Sequence, residues 1–364
     1  MVRKVIFVGL AVLASWGSRW PSACADAGRS CGALAGARGL TGPIGVAGPE
    51  ALAGANGLTG PISVAGLGVL ASANGLANST RSAKADTLLF VWWNLQNLFD
   101  TVANSGPRDR DFLPDGPYRW DSKRYYAKLY AVGRGLAAAA GGRIPDAIGV
   151  CEVENADVLD DLERRWPPEW RLWRLHRDSP DERGIDVAVW YNPERLSVDS
   201  VAWIHPAQDY PTREAIWVRW ITSTHDTLSW IWVHLPSQRA PAPSARAEAM
   251  RSIIEQAPKN LDGVIGDLNE GPNGPLGTYL RRLHMRHLPW PHYAGSFAYR
   301  GRLEALDGVW VREATNWRAT THVVPLGLSK SPRLGYQIRG CFEGLRYRGG
   351  ASDHLPVSIS VEVN

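Results

Sequence analysis

The 364-residue chain has few cysteines and no long apolar segment near its start, and both shortages limit what it can be. Its 4 Cys are too few for a disulfide-stabilised scaffold of this size. The apolar run over residues 5–14 is half as long as the roughly 20 residues that a membrane-spanning helix needs. The chain also lacks a Walker phosphate-binding loop and a Gly-x-Ser-x-Gly elbow, which argues against a P-loop nucleotidase and an α/β-hydrolase.

The part of the chain where a folded domain is expected also has no net positive charge. The chain has 40 basic and 36 acidic side chains, a formal net charge of +4. Seven basic and only two acidic residues lie at or before Lys84, which leaves 33 basic and 34 acidic residues after it. The net charge is therefore no evidence for binding to nucleic acid, although local basic patches remain open.

The N-terminal residues 1–27 have the pattern of a signal peptide. Arg3 and Lys4 give a charged start, the apolar run follows, and small residues stand in Ala-x-Ala spacing over Ala23–Ala27. We expect a secreted or periplasmic protein. An uncleaved leader or a mis-assigned start stays open, because Trp16 and Arg19 lie between the apolar run and the cleavage site.

Residues 28–84 contain a repeat with a period of 18. The segment Leu34–Ile44 recurs as Leu52–Ile62 with a single change, and glycine falls on many third positions. A collagen triple helix needs glycine at every third position, and this spacing fails at Ala51 and Ser63. We therefore favour a Gly/Ala-rich linker without fixed structure, and keep collagen-like trimerisation as the alternative.

Residues 85–364 read as short strands with interspersed helices, which indicates one layered domain of α and β elements. Runs rich in Val, Ile and Trp predict strands at Thr87–Trp93, Ala147–Val153, Trp170–His176, Asp186–Tyr191, Ile216–Thr222, Leu228–Val233, Val264–Gly266, Leu306–Val311 and Leu355–Val361. Helical periodicity covers Ser122–Ala140, Ala156–Trp166 and Ala245–Ala257, the last with Ser244 as its expected N-cap.

Polar residues stand at the ends of these apolar strands, where several segments can converge on one rim. They are Asn94, Glu152, His234, Asp267, Asn269, Ser352, Asp353 and His354. Carboxylate and amide oxygens without cysteine suit Mg²⁺ or Mn²⁺ better than a closed zinc site. The histidines and the Asp-x-Asn pair suit proton transfer and water orientation, so metal-assisted attack of water on a phosphate ester would use all of them.

The order of these motifs resembles the endonuclease/exonuclease/phosphatase superfamily, most closely its secreted bacterial endonuclease-like branch with a DNase I-like fold. The matching motifs are Trp93–Asp100, Glu152–Asn155, Asp181–Asp186, His234–Ser237, Gly266–Asn269, Leu306–Asp307 and Ser352–His354. The resemblance implies an α+β, four-layer α/β/β/α sandwich with two mostly antiparallel central sheets flanked by helices. It also implies a divalent-metal phosphoesterase.

The resemblance further implies a metal site and a water-activating pair. Glu152 is expected to be the principal metal ligand, supported by Asn94 and Asp353. Asp267 is expected to orient or deprotonate the attacking water, with Asn269 as its partner.

The remaining roles concern the phosphate. His354 is expected to contact it, with Asp307 holding the imidazole ring, and His234 to protonate the leaving oxygen or stabilise the transition state. Arg183, Asn269 and Ser352 are expected on the substrate, although Arg183 could equally form a structural ion pair with Asp186.

The chain departs from the family pattern at several positions. Gln96 stands where many relatives carry an acid, which leaves one or two metals open. Val233 and Gln238 replace an amide and a cation that relatives close to this branch often have, and Gly308 replaces a glutamine.

We expect an exported, monomeric Mg²⁺- or Mn²⁺-dependent endonuclease acting on DNA or RNA, without stable membrane insertion. The first alternative is a phospholipid or inositol-phosphate phosphoesterase, which would need an exposed apolar hairpin that the sequence does not clearly offer. The second is a non-catalytic exported binding module with a decayed site. A basic stretch favours a polyanionic chain as ligand, and its residues are Lys330, Arg333, Arg339 and Arg346.

Overall fold

A computed structural model describes residues 86–104, 109–208, 211–238, 242, 244–314 and 318–363. The signal peptide predicted over 1–27 and the linker predicted over 28–84 lie outside these ranges, and both stay predictions. The described residues belong to one compact unit of the chain, Asn78–Asn364. Among them, no helix has the length and apolar character required to cross a membrane.

The described residues form eighteen strands and four α-helices. In chain order they are β1 Asp86–Leu98, α1 Ser122–Ala139, β2 Ala147–Val153, α2 Ala156–Glu163, β3 Trp173–His176, β4 Asp186–Tyr191, β5 Leu196–Ile204, β6 Ala215–Thr222, β7 Thr227–His234, α3 Ala245–Gln256, β8 Gly263–Asp267, α4 Pro275–Arg282, β9 Met285–His287, β10 Phe297–Tyr299, β11 Arg302–Glu304, β12 Asp307–Arg312, β13 Arg318–Val323, β14 Leu328–Ser331, β15 Gly335–Ile338, β16 Phe342–Glu343, β17 Arg346–Tyr347 and β18 Val357–Val363.

Two six-stranded sheets form the centre of the domain. The first has the order β13-β18-β1-β2-β4-β3 and the second the order β5-β6-β7-β8-β12-β9. Only the pairs β1–β2 and β7–β8 are parallel. Strands β10–β11, β14–β15 and β16–β17 form three separate two-stranded hairpins.

Alternating side chains give each sheet two apolar faces, because successive residues of a strand point to opposite sides. In β1, Phe90 and Trp92 enter the core between the two sheets, whereas Val91 and Trp93 enter the core beneath α1 and α2. A third core packs the second sheet against α3 and α4. The four layers are therefore helices, sheet, sheet and helices, and the predicted fold class is confirmed.

Several tryptophans pack between the two sheets. Trp92, Trp230 and Trp232 are buried there, as the strand pattern predicts. A Cβ atom on Gly149 of β2 would lie 2.2 Å from Cε3 of Trp232, so only glycine lets this indole pack across the sheet. Cys151 and Cys341 are both free thiols and lie in different cores, so they do not form a disulfide with each other.

Two features of the helices differ from the sequence-based predictions, namely the cap of α3 and the presence of α4. Asp121 and Asn155 cap α1 and α2 through side-chain oxygens that accept from Arg124 N and Val158 N, both at 2.9 Å. Ser244 occupies the N-cap position of α3, as predicted, but its backbone is in the αR region and its side chain makes no capping hydrogen bond. Helix α4 was not predicted, because it begins at Pro275 after a segment rich in glycine and proline.

Candidate active site

The predicted site residues converge because the two parallel strand pairs bring strand ends to one rim. His234 at the end of β7 pairs with Asp267 at the end of β8, and Asp307 pairs with Asp267 from the other side. Asn94 of β1 pairs with Cys151 of β2, beside Glu152. Neighbouring register positions therefore place residues from distant parts of the chain side by side.

Asp267 is the centre of the polar cluster. Its Oδ2 accepts a hydrogen bond from Asn94 Nδ2 at 2.9 Å and lies 3.5 Å from His234 Nε2 and 3.9 Å from His354 Nε2. Its Oδ1 accepts from the backbone N–H of Asn269 at 2.9 Å. The carboxylate thus lies between two imidazoles, one at the end of β7 and the other in the segment before β18.

A buried carboxylate holds the ring of His354. Asp307 Oδ2 lies 2.7 Å from His354 Nδ1 and also accepts from the Ser296 hydroxyl, while its Oδ1 accepts from Trp92 Nε1 at 2.8 Å. Phe297 packs against the same ring, with ring centroids 4.9 Å apart. These contacts set the orientation of His354, whose Nε2 points towards Asp267.

Burial and charge give the three central groups different protonation behaviour. Burial, reinforced by Asp307, raises the pKa of Asp267 to about 7 against the opposing effect of His354. Burial alone would lower the pKa of His354, but the carboxylates of Asp307 and Asp267 outweigh it and raise this pKa to about 10. Burial, with Arg213 and Arg183 nearby, lowers the pKa of His234 well below its usual range. At neutral pH one histidine is therefore a cation and the other neutral.

Glu152 lies in a bulge that turns its side chain into the cleft. Its φ is +61°, and the pairing register of β2 shifts on either side of it. Its Oε2 accepts from the backbone N–H of Asn97 at 2.9 Å, and Arg183 Nη2 lies 3.3 Å from Oε1. Burial by itself would raise the pKa of Glu152, but Arg183 and further cations lower it, so this carboxylate is ionised.

Asp353 shares a cavity of about 840 Å³ with Glu152, Arg183 and Asn269. Burial, reinforced by the Glu152 carboxylate, raises the pKa of Asp353. Among the described residues, no Lys, Arg or His nitrogen lies within ion-pair distance of Asp353. Two partly buried carboxylates, one of them without an ion-pair partner, fit a hard divalent cation. The amide oxygen of Asn94 accepts from Gln96 N at 2.8 Å and keeps one lone pair for a third ligand bond.

Two groups of the described residues offer three ligand atoms within 4.8 Å of one another. One is Asp267, Asp307 and His354, and the other is His176, Asp178 and Asp186. In the first group, both oxygens of Asp307 already accept hydrogen bonds from protein donors. This group is therefore better described as a hydrogen-bonded network than as the metal position.

Two predicted substrate-binding residues have partners within the protein. The hydroxyl of Ser352 donates to the carbonyl of Asn94 at 2.6 Å and accepts from His354 N at 3.0 Å, and the residue is buried. The hydroxyl of Ser352 thus joins the end of β1 to His354, and its contact with substrate stays a prediction. Arg183 does not pair with Asp186, whose carboxylate bonds to His176 and Ser179. The guanidinium of Arg183 forms an ion pair with Glu152 instead.

Two departures from the family pattern have structural uses. Both polar atoms of the Gln96 side chain bond to the backbone at β16, because Oε1 accepts from Cys341 N at 2.6 Å and Nε2 donates to Phe342 O at 3.0 Å. Val233 packs in the core beneath α3 and α4. Gln96 therefore attaches the segment before β16 to the rim of the site.

Sequence reasoning missed the residues that hold the site together. Arg213, which is buried, donates from Nε to His234 O at 2.9 Å and from Nη2 to Leu235 O at 2.6 Å, and Nη1 lies 3.3 Å from Asp181 Oδ2. Lys128 of α1, also buried, donates to the carbonyls of Gln96 and Asn97. Lys128 has one local signal, a basic residue inside an apolar helical pattern, which does not identify its acceptors. Arg213 lies between Thr212 and Glu214 and has no such signal.

The chain was compared with protein-family models, curated proteins and solved structures. Residues 89–283 match the model of the Endonuclease/Exonuclease/phosphatase family. Among curated proteins, none matches the chain.

Several solved structures share the fold. A Bacteroides thetaiotaomicron endonuclease/exonuclease/phosphatase family protein aligns at a TM-score of 0.52 with 16% identity, covering 77% of this chain and 99% of that chain. The human Nocturnin catalytic domain aligns at 0.51 with 14% identity, covering 79% and 100%. The B. thetaiotaomicron mannosyl-6-phosphatase Bt3783 aligns at 0.50 with 16% identity, covering 75% and 99%. At these identities the likeness shows the fold alone.

Proposed function

Because the chain belongs to the endonuclease/exonuclease/phosphatase family, whose members are hydrolases of phosphoester bonds, we propose that it is an exported, divalent-metal-dependent phosphodiesterase, specifically an endonuclease acting on DNA or RNA. One observation carries the proposal. A buried carboxylate, Asp267, lies between a neutral histidine and a cationic one, 3.5 Å from His234 Nε2 and 3.9 Å from His354 Nε2. This arrangement suits proton transfer beside a developing negative charge.

In this proposal Glu152, Asp353 and Asn94 hold one Mg²⁺ or Mn²⁺. The bound cation supplies Lewis-acid stabilisation of the phosphoryl oxygens. Glu152 is kept ionised by Arg183, and Asp353 has no cation of its own among the described residues. Gln96 is committed to Cys341 and Phe342, so we propose a single metal and not two.

The protein groups would carry the proton transfers. Asp267, with a pKa of about 7, accepts a proton from the attacking water, and Asn94 and Asn269 N hold its carboxylate in place. His354, kept cationic by Asp307, donates a hydrogen bond from Nε2 to a phosphate oxygen. His234, with its Nε2 also 3.8 Å from Glu152, stabilises charge on the leaving side.

One observation favours the lipid alternative. The tips of the β14–β15 and β16–β17 hairpins expose Leu334 and Leu345, which are 54% and 63% exposed. Apolar hairpin tips are what a phosphoesterase acting at a membrane surface would need, and the sequence had not revealed them. Vesicles of sphingomyelin or phosphatidylinositol therefore belong among the substrates tested.

The test is hydrolysis by the full chain of plasmid DNA, RNA, lipid vesicles and a chromogenic phosphodiester, with Mg²⁺, with Mn²⁺ and with EDTA. We expect plasmid nicking that EDTA abolishes and that Glu152→Gln or His354→Asn reduces at least a hundredfold. Glu169→Gln, a change at an exposed glutamate outside this cleft, is the matched control and should retain full activity. Equal activity in Glu152→Gln, or hydrolysis of lipid alone, would contradict the proposal.

Export is tested separately. Mass spectrometry of the protein recovered from culture medium or periplasm should give an N-terminus near residue 26, because the Ala-x-Ala spacing predicts cleavage there. An intact Met1 on protein confined to the cytoplasm would refute this part of the proposal.

A further inference from the structure

A second cavity of about 910 Å³ adjoins the catalytic one. The two cavities share Asn97, Phe112, Tyr118, Phe297 and Asp353, so they form one continuous depression. The second cavity has no assigned role in hydrolysis. Its far wall is built by the β10–β11 and β14–β15 hairpins and by the segment that leads into β16.

This wall has a fixed position relative to the catalytic cavity. Tyr336 N donates to Gly301 O at 2.9 Å, which joins the two hairpins, and Gly301 and Gly335 have φ of +79° and +66°. A Cβ atom on Gly335 would lie 2.3 Å from Gly301 O, so the close approach of the hairpins requires glycine. The two hydrogen bonds of Gln96 attach the neighbouring segment to the end of β1.

The wall is strongly basic. Segments 297–304 and 328–348 contain seven basic and two acidic residues. The exposed Arg300, Arg333 and Arg339 line the cavity, and no carboxylate of the described residues lies within ion-pair distance of their guanidinium groups. Guanidinium groups without carboxylate partners bind phosphates well. The excess of cations favours a ligand with several phosphates over a single phosphate group.

Aromatic rings line the same cavity as these cations. Tyr118, Phe297, Tyr336 and Phe342 line it, and each is partly exposed. Flat rings beside a phosphate-binding surface stack on nucleobases, and this requires bases that are not already paired in a duplex. The combination of rings and cations in one cavity therefore fits unpaired nucleotides better than a duplex or a lipid head group.

We infer that this second cavity is a subsite for single-stranded nucleic acid, and that it holds the nucleotides next to the phosphodiester in the catalytic cavity. Arg300 and Arg333 bind the backbone, and Tyr336 stacks on a base. The inference rests on the proposed function for its substrate class, but it makes a separate prediction, because binding at this subsite needs no metal.

The test measures binding without catalysis. Fluorescence anisotropy of labelled 12-nucleotide DNA and RNA strands is recorded with the full chain in EDTA, so that no metal-dependent hydrolysis occurs. We expect Arg300→Glu combined with Arg333→Glu to weaken binding at least tenfold and to lower the log–log salt slope by about 2. Arg282→Glu, at an exposed arginine of α4 outside both cavities, should bind within twofold of the unaltered chain.

Three further probes identify the ligand class. An abasic strand reports phosphate binding alone. Tyr336→Ala should therefore weaken the binding of a normal strand at least threefold and the binding of the abasic strand much less. A 12-base-pair duplex should bind at least fivefold more weakly than a single strand. On Mg²⁺ addition, the arginine double variant should lose at least tenfold more kcat/KM on strands than on a chromogenic phosphodiester, which has no further nucleotides to occupy the second cavity.

The outcomes separate the two proposals. Strand binding in EDTA without hydrolysis of any ester would refute the proposed function and leave the subsite standing. Hydrolysis of strands with equal binding by the arginine double variant would refute the subsite and leave the function standing. Duplex binding as tight as strand binding would also overturn the subsite.

Discussion

Two carboxylates of the site, Glu152 and Asp267, differ in protonation because their nearest charges differ. Glu152 has the guanidinium of Arg183 beside it, and its pKa is lowered despite burial. Asp267 pairs in register with another acid, Asp307, and its pKa is raised to about 7. A permanently ionised group suits a metal ligand, whereas a group that titrates near neutral pH suits proton transfer. This division of roles depends on which residue lies nearest to each acid.

Arg213 provides a test of how the site is positioned. Replacing it with Gln leaves the carbonyls of His234 and Leu235 and the carboxylate of Asp181 without their partner in a buried region. We expect the free energy of unfolding to fall by about 3 kcal/mol, measured by urea denaturation. Arg219→Gln is the control, because that arginine of the following strand forms an exposed ion pair with Asp199. A loss of about 0.5 kcal/mol or less is expected there. Similar losses in both variants would contradict this account.

His287 provides a test of pH dependence. Its ring packs against Trp310 and Trp290, and burial, helped by Arg281, lowers its pKa to about 4. Below pH 6.5 the unfolded chain binds a proton that the folded chain does not, so stability is lost as the pH falls towards 4. This loss is absent in His287→Phe. Between pH 7 and 4.5, we therefore expect the free energy of unfolding of the unaltered chain to fall by about 2 kcal/mol more than that of the variant. Urea denaturation at both pH values measures it. A pH-independent difference between the two proteins would refute the assignment.

At the scale of elements, parallel pairing and bulges assemble the site. The ends of β1 and β2 lie together, as do the ends of β7 and β8, which brings strand-end polar residues to one rim. The bulges in β1 and β2 turn Asn97 and Glu152 towards each other, so that Asn97 N donates to the carboxylate. The rest of the sheets is antiparallel and holds these four strands in place.

The contact between the sheets is tested at Gly149. Gly149→Ala puts a methyl group 2.2 Å from Cε3 of Trp232 and 2.9 Å from Cε3 of Trp92, so one of the indoles must shift. We expect a destabilisation of about 1–3 kcal/mol by urea denaturation. Gly271→Ala is the control, because a Cβ atom there meets nothing within 4 Å. A stability loss in the control as large as in Gly149→Ala would show that the indole contact is not the cause.

At the scale of the whole molecule, the site depends on almost the entire domain. Ser352 bonds to the carbonyl of Asn94 across 258 residues, and Trp92 bonds to Asp307 across 215. Such contacts form only when both sheets and the final strand β18 are assembled. Partial folding is therefore not expected to leave a partly active site.

The N-terminal residues, by contrast, are predicted to be dispensable for folding. A fragment of residues 78–364 should unfold in one transition with the same midpoint as the full chain, within about 2 °C by circular dichroism, because the compact unit begins at Asn78. The same fragment should retain its activity on the chromogenic phosphodiester. A midpoint lowered by 5 °C or more would show that the residues before Asn78 contribute to stability.

The sequence by itself determined the site residues Asn94, Glu152 and Asp267, because a polar residue at the end of an apolar strand is a local pattern. Strands such as β14 were missed because Leu-Ser-Lys-Ser has no apolar alternation, and only its pairing with β15 makes it a strand.

Tertiary structure alone decided how the site residues are held and charged. Gln96 attaches the basic wall through Phe342, and Arg213 supports His234. Both contacts depend on partners farther along the chain. The protonation of His354 and Asp267 depends on burial and on the charges packed around them, which no local pattern specifies.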